Sequence, residues 1–124
     1  MTTSETLFFD TYALLEIFYG NKDYEKFLIC NVAITKLNLF ELYHKLHRDY
    51  GADIADKEFD KYADLSIDFN NEIVKEAAKL KLMFSKQDLS MADCIGYIKA
   101  KQLGIKFLTG DKQFEFLPDV EFVK

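Results

Sequence analysis

Residues 88–111 read DLSMADCIGYIKAKQLGIKFLTGD, and this stretch decides the predicted fold. It begins like a helix, with Ser90 as N-cap and Asp93 three positions later in a capping-box arrangement. Apolar residues then recur at helical spacing on one face, namely Met91, Cys94, Ile95 and Ile98. Gly104 stands where a helix commonly ends, and residues 105–109 favour a strand. The stretch therefore predicts a helix that leads into a strand, with a Thr-Gly-Asp turn after it.

The rest of the chain repeats this alternation of strands and helices. Further strands are predicted at residues 7–9, 32–35, 65–68 and 120–123. Helices are predicted at residues 11–19, 23–28, 36–50, 54–62 and 69–84, with Leu28 and Tyr50 on buried faces. Strands that alternate with helices of this length are typical of α/β proteins. The sequence predicts one domain over residues 1–124, a three-layer α/β/α sandwich with a central, mostly parallel sheet.

Composition narrows the class of protein. The 124 residues are 49% hydrophobic with five Gly and one Pro, which indicates a single globular domain without a flexible linker. A net charge of −5 argues against a general DNA-binding protein, because such proteins usually present a basic surface. Cys30 and Cys94 have no metal-ligand spacing and are expected to be reduced core residues. Without a signal peptide or an apolar stretch that could span a bilayer, a cytoplasmic location is expected.

Three acids are predicted to meet at one edge of the sheet. Asp10 directly follows the first strand, and Asp111 follows the strand at residues 105–109. Asp93 lies at a helix N-terminus, which faces the same edge when the helix follows a strand, and ligands of α/β sheets bind there. Gathered carboxylates repel one another, so a cation must offset their charge. Mg²⁺ and Mn²⁺ prefer oxygen ligands and assist the hydrolysis of phosphodiesters.

Four sequence motifs give the chain a family resemblance. They are FFDTYALLEIF around Asp10, TKLNLFELY around Glu41, LSMADCIGYIKAKQLG around Asp93 and FLTGDKQF around Asp111. In this order they resemble the PIN domain, and among PIN domains the small VapC-type toxin ribonucleases. The resemblance covers nearly the whole chain and implies a single PIN-like domain. Each motif is weak singly, whereas the four together are fairly specific.

The resemblance implies a site, a reaction and partners. Asp10, Glu41, Asp93 and Asp111 would form the acidic quartet that binds Mg²⁺ or Mn²⁺ and catalyses RNA hydrolysis. Asp10 and Asp93 would be direct ligands, Asp111 would bind directly or through water, and Glu41 would orient water or take a second ion. Thr109 would hydrogen-bond a ligand carboxylate as second shell. The family further implies an endoribonuclease toxin that forms a homodimer and is bound by a protein antitoxin.

Aromatic and basic residues suggest where partners would bind. Four aromatic residues cluster near the first helices and would form a protein interface unless they are core residues: Tyr12, Phe18, Tyr19 and Tyr24. Several basic residues are candidates for contact with RNA phosphates: Lys45, Arg48, Lys86, Lys101 and Lys112. No sequence feature distinguishes any of them from an ordinary solvated residue.

Alternative interpretations remain for the same residues. Asp93, Asp10 and Asp111 would each serve as ordinary cap or turn acids, and Glu41 as a solvated helix residue. Glu41 also begins an E-x-x-H-x-x-H pattern with two histidines. A di-iron or zinc site of that type needs a matching Glu-x-x-His on another helix, and the chain holds only two histidines. The quartet is therefore favoured over a histidine site.

Two other functions remain open. A phosphoacceptor receiver domain has similar length and an acidic Mg²⁺ pocket, but it needs paired acids after the first strand and a lysine after the fifth. Here the first strand offers only Asp10, followed by Thr11. The other alternative is a catalytically silent PIN-fold module that binds without turnover. The intact quartet favours the ribonuclease over both.

Overall fold

The computed structural model describes residues 5–124 and shows strands and helices in alternation. The strands are β1 (Thr6–Phe9), β2 (Asn31–Ala33), β3 (Lys106–Thr109) and β4 (Val120–Phe122). The helices are α1 (Thr11–Tyr19), α2 (Lys36–Tyr50), α3 (Ala52–Tyr62), α4 (Asn71–Met83) and α5 (Met91–Leu103). Short 3₁₀ turns lie at Lys22–Phe27, Ala63–Leu65, Ser85–Gln87 and Lys112–Phe114. None of the helices in this described part combines the length and apolar character needed to cross a lipid bilayer.

The four described strands form one parallel sheet in the order β2-β1-β3-β4. The chain runs from β1 outward to β2 and then returns to the other side of β1 to form β3. In register, Phe9 lies opposite Leu108, so both central strands end at the same level. The strand order reverses between β1 and β3, and this is where α/β sheets bind ligands.

Side chains of β1 alternate between two apolar cores on opposite faces of the sheet. Leu7 and Phe9 join a core with helices α1, α2 and α3, whereas Phe8 joins a core with α4 and α5. Leu108 and Phe107 of β3 divide between the same two cores. The predicted three-layer α/β/α sandwich with a parallel sheet is therefore confirmed.

Capping residues set the helix bounds near the sheet. Asp10 is the N-cap of α1 and Ser90 is the N-cap of α5, as the sequence predicts. Gly104 ends α5 in the left-handed conformation, where a Cβ would be strained. At α2, Thr35 and Asn38 form a reciprocal capping box that the sequence did not reveal. Both cysteines are unpaired, and Cys94 is buried in the core as predicted.

The strand predicted at residues 65–68 is wrong. Only one bridge forms there, between Ser66 and Ile34, and it lies just beyond the end of β2. Thr35 turns the chain into α2 at that point, so the strand that residues 65–68 would pair with has already ended. A 3₁₀ turn and a single bridge take the place of a fifth strand.

Three apolar residues assigned to buried faces are exposed instead. Leu28 is 63% exposed because it follows a 3₁₀ turn, whose three-residue repeat rotates it away from Tyr24 and Phe27. Tyr50 ends α2 and packs edge-on with Phe18 while remaining 48% exposed. Met91 is 62% exposed as the first residue of α5. Tyr50 and Met91 lie at helix ends, where helical spacing no longer predicts which residues are buried.

Candidate functional site

Asp10 is fixed at the end of β1 and is fully buried. Its backbone N–H donates to the Leu108 carbonyl at 3.2 Å, which continues the pairing of β1 with β3. Its Oδ1 accepts a hydrogen bond from the Ala13 N–H at 2.8 Å and caps α1. Its Oδ2 has no hydrogen-bond partner. One oxygen of Asp10 thus holds the helix, and the other is left for a ligand.

Asp111 is held by a turn that follows β3. Its backbone N–H donates to Thr109 Oγ1 at 2.9 Å, and its Oδ1 accepts from the Gln113 N–H at 3.0 Å. Thr109 is fully buried, and its side chain lowers the pKa of Asp10 against the larger effect of burial. A single threonine therefore acts on both Asp10 and the turn that carries Asp111.

The residue between Thr109 and Asp111 must be small. A Cβ at Gly110 would lie 2.2 Å from the Tyr12 ring and 2.4 Å from the Val123 carbonyl oxygen, distances that real Cβ atoms do not show. The absent side chain allows Tyr12 to pack over the turn, so the turn is buried beneath an aromatic ring.

Asp93 lies in the first turn of α5 and is only 8% exposed. Its backbone N–H donates to Ser90 Oγ at 3.0 Å, which confirms the predicted N-cap. Its Oδ1 is buried without a hydrogen-bond partner. Asp93 therefore resembles Asp10 in offering one buried, unsatisfied oxygen.

Glu41 reaches the site from α2 and is half-buried. Its Oε1 accepts a hydrogen bond of 2.6 Å from the Thr11 hydroxyl group. Thr11 follows Asp10 directly, so this bond ties Glu41 to the end of β1. Sequence reasoning did not identify Thr11, although its position beside Asp10 is a signal that would have allowed it.

A cleft of about 330 Å³ opens over these acids. It is lined by Thr11, Tyr12, Leu15, Glu16, Tyr19, Glu41, Lys45, Ser90, Asp93 and Asp111. Asp10 lies buried behind it. Lys45 supplies a positive charge at the cleft, while the other basic residues considered for RNA contact do not line it. Three members of the predicted quartet thus line one cleft, and the fourth is adjacent.

Burial and mutual repulsion shift the ionisation of the two buried acids. Desolvation raises the pKa of Asp10 well above its ordinary value, and the charges of Asp93 and Asp111 raise it further. Desolvation and the charge of Glu41 raise the pKa of Asp93 to about 7, against the lowering effects of Ser90 and Lys45. Without a cation, burial and repulsion therefore favour the protonated forms of Asp10 and Asp93.

The donor set fits a hard divalent cation. Three buried side-chain oxygens in residues 5–124 lack a partner, and two of them belong to Asp10 and Asp93. Within the same residues, no three His, Cys, Asp or Glu side chains converge closely enough to enclose an ion on their own. Mg²⁺ commonly takes only one or two carboxylates and keeps several waters, which matches this arrangement.

A larger cavity, about 700 Å³, lies elsewhere, between α2 and α3. Its lining residues are Lys36, Leu39, Phe40, Tyr43, His44, His47, Arg48, Phe59 and Ala63, and none of them belongs to the quartet. We call this cavity the α2–α3 groove. His44 stacks on Phe40 and His47 packs near Tyr43. Both histidines therefore line this groove, whereas Glu41 bonds to Thr11 at the acidic cleft.

The aromatic cluster predicted as an interface is mostly covered. Tyr24 is fully buried and donates a hydrogen bond to the Val123 carbonyl, and Tyr12 and Phe18 are half-buried. Of the four, Tyr19 is 53% exposed. The exposed aromatic residue in the α2–α3 groove is Phe40, at 71%, which the sequence placed in no interface. Tyr24 as a docking residue is thus an incorrect prediction.

Comparisons with known proteins agree with the fold. The family model described as the PIN domain matches residues 7–119. A search of curated proteins gave no match. Among solved structures, VapC20 of Mycobacterium tuberculosis, a sarcin-ricin loop cleaving toxin, matches with a TM-score of 0.79 and 15% identity over 95% of this chain and 99% of that chain.

Two complexes also contain a similar fold. A toxin–antitoxin complex from Klebsiella pneumoniae matches at a TM-score of 0.70 and 20% identity, covering 93% of this chain and 95% of that chain. VapBC2 of Rickettsia felis, bound to a DNA fragment from its promoter, matches at 0.70 and 16%, covering 95% and 97%. At sequence identities of 20% or less, these matches show similarity of fold alone.

Proposed function

Because the chain belongs to the PIN domain family, we propose that it is a metal-dependent endoribonuclease, the toxin of a toxin–antitoxin pair. Its reaction is the hydrolysis of RNA phosphodiester bonds with Mg²⁺ or Mn²⁺ as cofactor. One observation carries the proposal. Asp10 and Asp93 come from different parts of the chain, yet each presents a buried oxygen without a partner at the point where the strand order reverses.

Buried oxygens without a hydrogen-bond partner destabilise the folded chain, so two of them at one site imply a bound ligand. A buried polar atom without a hydrogen bond costs about 1–3 kcal/mol. Burial raises the pKa of both carboxyl groups, and so do neighbouring carboxylates, namely Asp93 for Asp10 and Glu41 for Asp93, which adds to that cost. A divalent cation would satisfy both oxygens and reverse the repulsion. Asp10 and Asp93 are therefore the proposed direct ligands. Asp111 and Glu41 complete the quartet, and Thr109 orients Asp10.

The chain's own groups supply orientation and charge. Lys45 at the cleft attracts the RNA phosphate and lowers the pKa of Asp93. The N-terminus of α5 at Ser90 adds a positive dipole that favours an anion. Glu41, held by Thr11, lines the cleft, where it would orient water or hold a second ion. The chemistry supplied by a bound Mg²⁺ or Mn²⁺ is the activation of water and the stabilisation of charge on the phosphate.

Cleavage assays with two separate variants test the activity. Asp10→Asn and Asp93→Asn should each abolish Mn²⁺-dependent cleavage of a labelled random-sequence RNA pool and of purified ribosomal RNA. Asp68→Asn removes an exposed acid outside the cleft and should cleave like the wild-type protein. If both site variants kept full activity, the ribonuclease proposal would be wrong. A wild-type protein that bound Mn²⁺ but cleaved neither RNA would favour the silent binding module.

The α2–α3 groove is the proposed docking surface for the protein antitoxin. Leu39, Phe40 and Phe59 give it an apolar floor, and Lys36 and Arg48 lie at its sides. No lining residue is acidic, although the whole chain carries a net charge of −5. An antitoxin segment with apolar side chains and carboxylates fits this surface. RNA would leave the apolar floor of the groove exposed to water.

A pair of variants tests this docking surface. A candidate antitoxin, sought among small proteins encoded next to this gene, would be co-expressed with the wild-type chain, and the complex would be measured by size-exclusion chromatography. Phe40→Asp should weaken the complex, because it removes the most exposed apolar side chain of the groove. It also adds a negative charge that repels the carboxylates of the antitoxin. Ile29→Asp, at a residue that is 78% exposed before β2, should leave it intact. Equal binding by Phe40→Asp and wild type would reject the groove.

A homodimer is the proposed assembly. Three exposed apolar residues line two adjoining pockets at α4 and α5, namely Val74 at 44%, Leu82 at 77% and Met91 at 62%. Such a patch commonly marks a protein interface. Multi-angle light scattering should give twice the mass of the 14.5 kDa chain, and Leu82→Asp should reduce it to one chain. A monomeric wild-type protein would contradict the assembly.

A further inference from the structure

A buried chain of hydrogen bonds runs from the start of α2 to Glu41. Asn38 Oδ1 accepts from the Thr35 N–H at 3.1 Å and from the Thr35 hydroxyl at 3.2 Å. Asn38 Nδ2 then donates to Thr11 Oγ1 at 3.4 Å, and Thr11 donates to Glu41 Oε1 at 2.6 Å. Thr35 and Asn38 are fully buried and Thr11 is 4% exposed, so water does not compete for the bonds among these three residues.

The chemistry of each group gives this chain one direction. The Asn38 oxygen is occupied by two donors, so its amide nitrogen must face Thr11. An amide nitrogen only donates, so the Thr11 oxygen must accept from it. The single proton of the Thr11 hydroxyl is then available only to Glu41. The capping box of α2 therefore determines which way the Thr11 proton points.

Glu41 needs such a restraint more than the other three acids. Asp10 and Asp111 are short side chains fixed by backbone N–H groups of Ala13 and Gln113. Glu41 lies inside a helix and has one more rotatable bond than aspartate, so holding it in one rotamer costs more entropy. The 2.6 Å bond from a neutral hydroxyl to a carboxylate is short and charge-assisted, which makes it a strong restraint.

We propose that Thr11 is a positioning residue that holds the Glu41 carboxylate for the metal site, and that Asn38 orients Thr11. The proposal rests on the proposed metal-dependent ribonuclease function and adds two residues to it. Neither side chain is one of the proposed metal ligands. Their effect passes through Glu41, as outer groups around a metal commonly act through its ligands.

Substitutions at Thr11 separate positioning from simple stability. Thr11→Val keeps the shape but removes the hydroxyl, and should weaken Mn²⁺ binding by about 10- to 100-fold in calorimetric titration without RNA. Its kcat on RNA should fall while KM stays near the wild-type value. Thr11→Ser restores the hydroxyl and should recover both. Leu46→Ala, a buried change on α2, should lower stability but keep the Mn²⁺ affinity at a temperature where the chain is folded.

A change at Asn38 tests the direction of the chain. Asn38→Asp keeps an oxygen for the Thr35 cap but replaces the N–H donor with an acceptor. The Thr11 proton would then be drawn from Glu41 toward residue 38, and Mn²⁺ affinity should fall as in Thr11→Val. Stronger Mn²⁺ binding by this variant would overturn the orienting role of Asn38.

The outcomes distinguish this inference from the function on which it rests. If the wild-type protein cleaves RNA and Thr11→Val binds Mn²⁺ equally well, the positioning role is refuted and the ribonuclease remains. If Thr11→Val and Leu46→Ala weakened Mn²⁺ binding equally, the loss would reflect lower stability of the chain, and the positioning role of Thr11 would also be refuted. If the wild-type protein neither binds Mn²⁺ nor cleaves RNA, the proposed function itself fails.

Discussion

Replacing Asp93 with asparagine should stabilise the metal-free protein at pH 8 even though it should abolish cleavage. Burial and the charge of Glu41 raise the pKa of Asp93 from 3.8 to about 7. Since each pKa unit corresponds to about 1.4 kcal/mol, the ionised side chain costs the folded state on the order of 4 kcal/mol. Asparagine avoids this cost but loses about 0.3–1 kcal/mol of favourable helix-dipole interaction. The expected gain at pH 8 is on the order of 3 kcal/mol.

The same shift fixes the sign of the pH dependence. The folded protein holds the Asp93 proton more tightly than the unfolded chain, so the stabilisation by protonation is complete below about pH 4. It is lost as the pH rises through about 7, which is the pKa of folded Asp93. The wild-type free energy of unfolding should therefore fall between pH 5 and 8, by on the order of 3 kcal/mol. The pKa of Asp10 shifts in the same direction and adds to this fall.

Urea unfolding followed by circular dichroism would measure these effects. The wild-type protein, Asp93→Asn and the exposed control Asp68→Asn would be compared in EDTA between pH 5 and 8. Asp93→Asn should show a flatter profile, and the control should follow the wild type. Added Mn²⁺ should stabilise the wild type at pH 8 more than Asp93→Asn. A flat wild-type profile, or an Asp93→Asn protein less stable than wild type at pH 8, would refute the reasoning.

Three further predictions concern residues that support the site. Asp10→Asn should be more stable than Asp10→Ala by about 0.5–2 kcal/mol in urea unfolding, because asparagine still caps α1, and both should lose cleavage; equal stability of the two would contradict the cap. Gly110→Ala should lower the thermal midpoint, at a cost of about 1–3 kcal/mol, because its Cβ would collide with Tyr12; an unchanged midpoint would argue against this packing. Gly96→Ala places a Cβ 2.5 Å from the Phe8 ring and should also lower the midpoint, at a similar cost of about 1–3 kcal/mol, as a calorimetric scan would show.

Local sequence patterns predicted the strand ends well. Helix α1 has the predicted bounds, Thr11–Tyr19, because Asp10 caps its start and Gly20 ends it in the left-handed conformation. β1 and β3 end where the apolar runs end, so the prediction that Asp10 and Asp111 share one edge follows from chain-local signals. The roles of the four acids in metal binding and catalysis remain predictions.

Contacts between distant segments were harder to predict. The strand at residues 65–68 failed because its partner strand had already turned into α2, which no local pattern records. Tyr24 is buried in the core, and its hydroxyl group bonds to the carbonyl of Val123, which follows β4. The bond from Thr11 to Glu41 joins residues 30 positions apart, so it is visible only once the fold is known.

The pairing of β1 with β3 also has a consequence for synthesis of the chain. Leu7 pairs with Lys106 and Phe9 with Leu108, so β1 gains this neighbour only after residues 106–108 have been synthesised. Contacts of such sequence separation form late in folding. The acidic edge needs β3 and the turn that carries Asp111, and a ribosome-bound chain cannot assemble it until residues 106–111 have emerged. Any activity of this edge therefore begins only after residues 106–111 have left the ribosome.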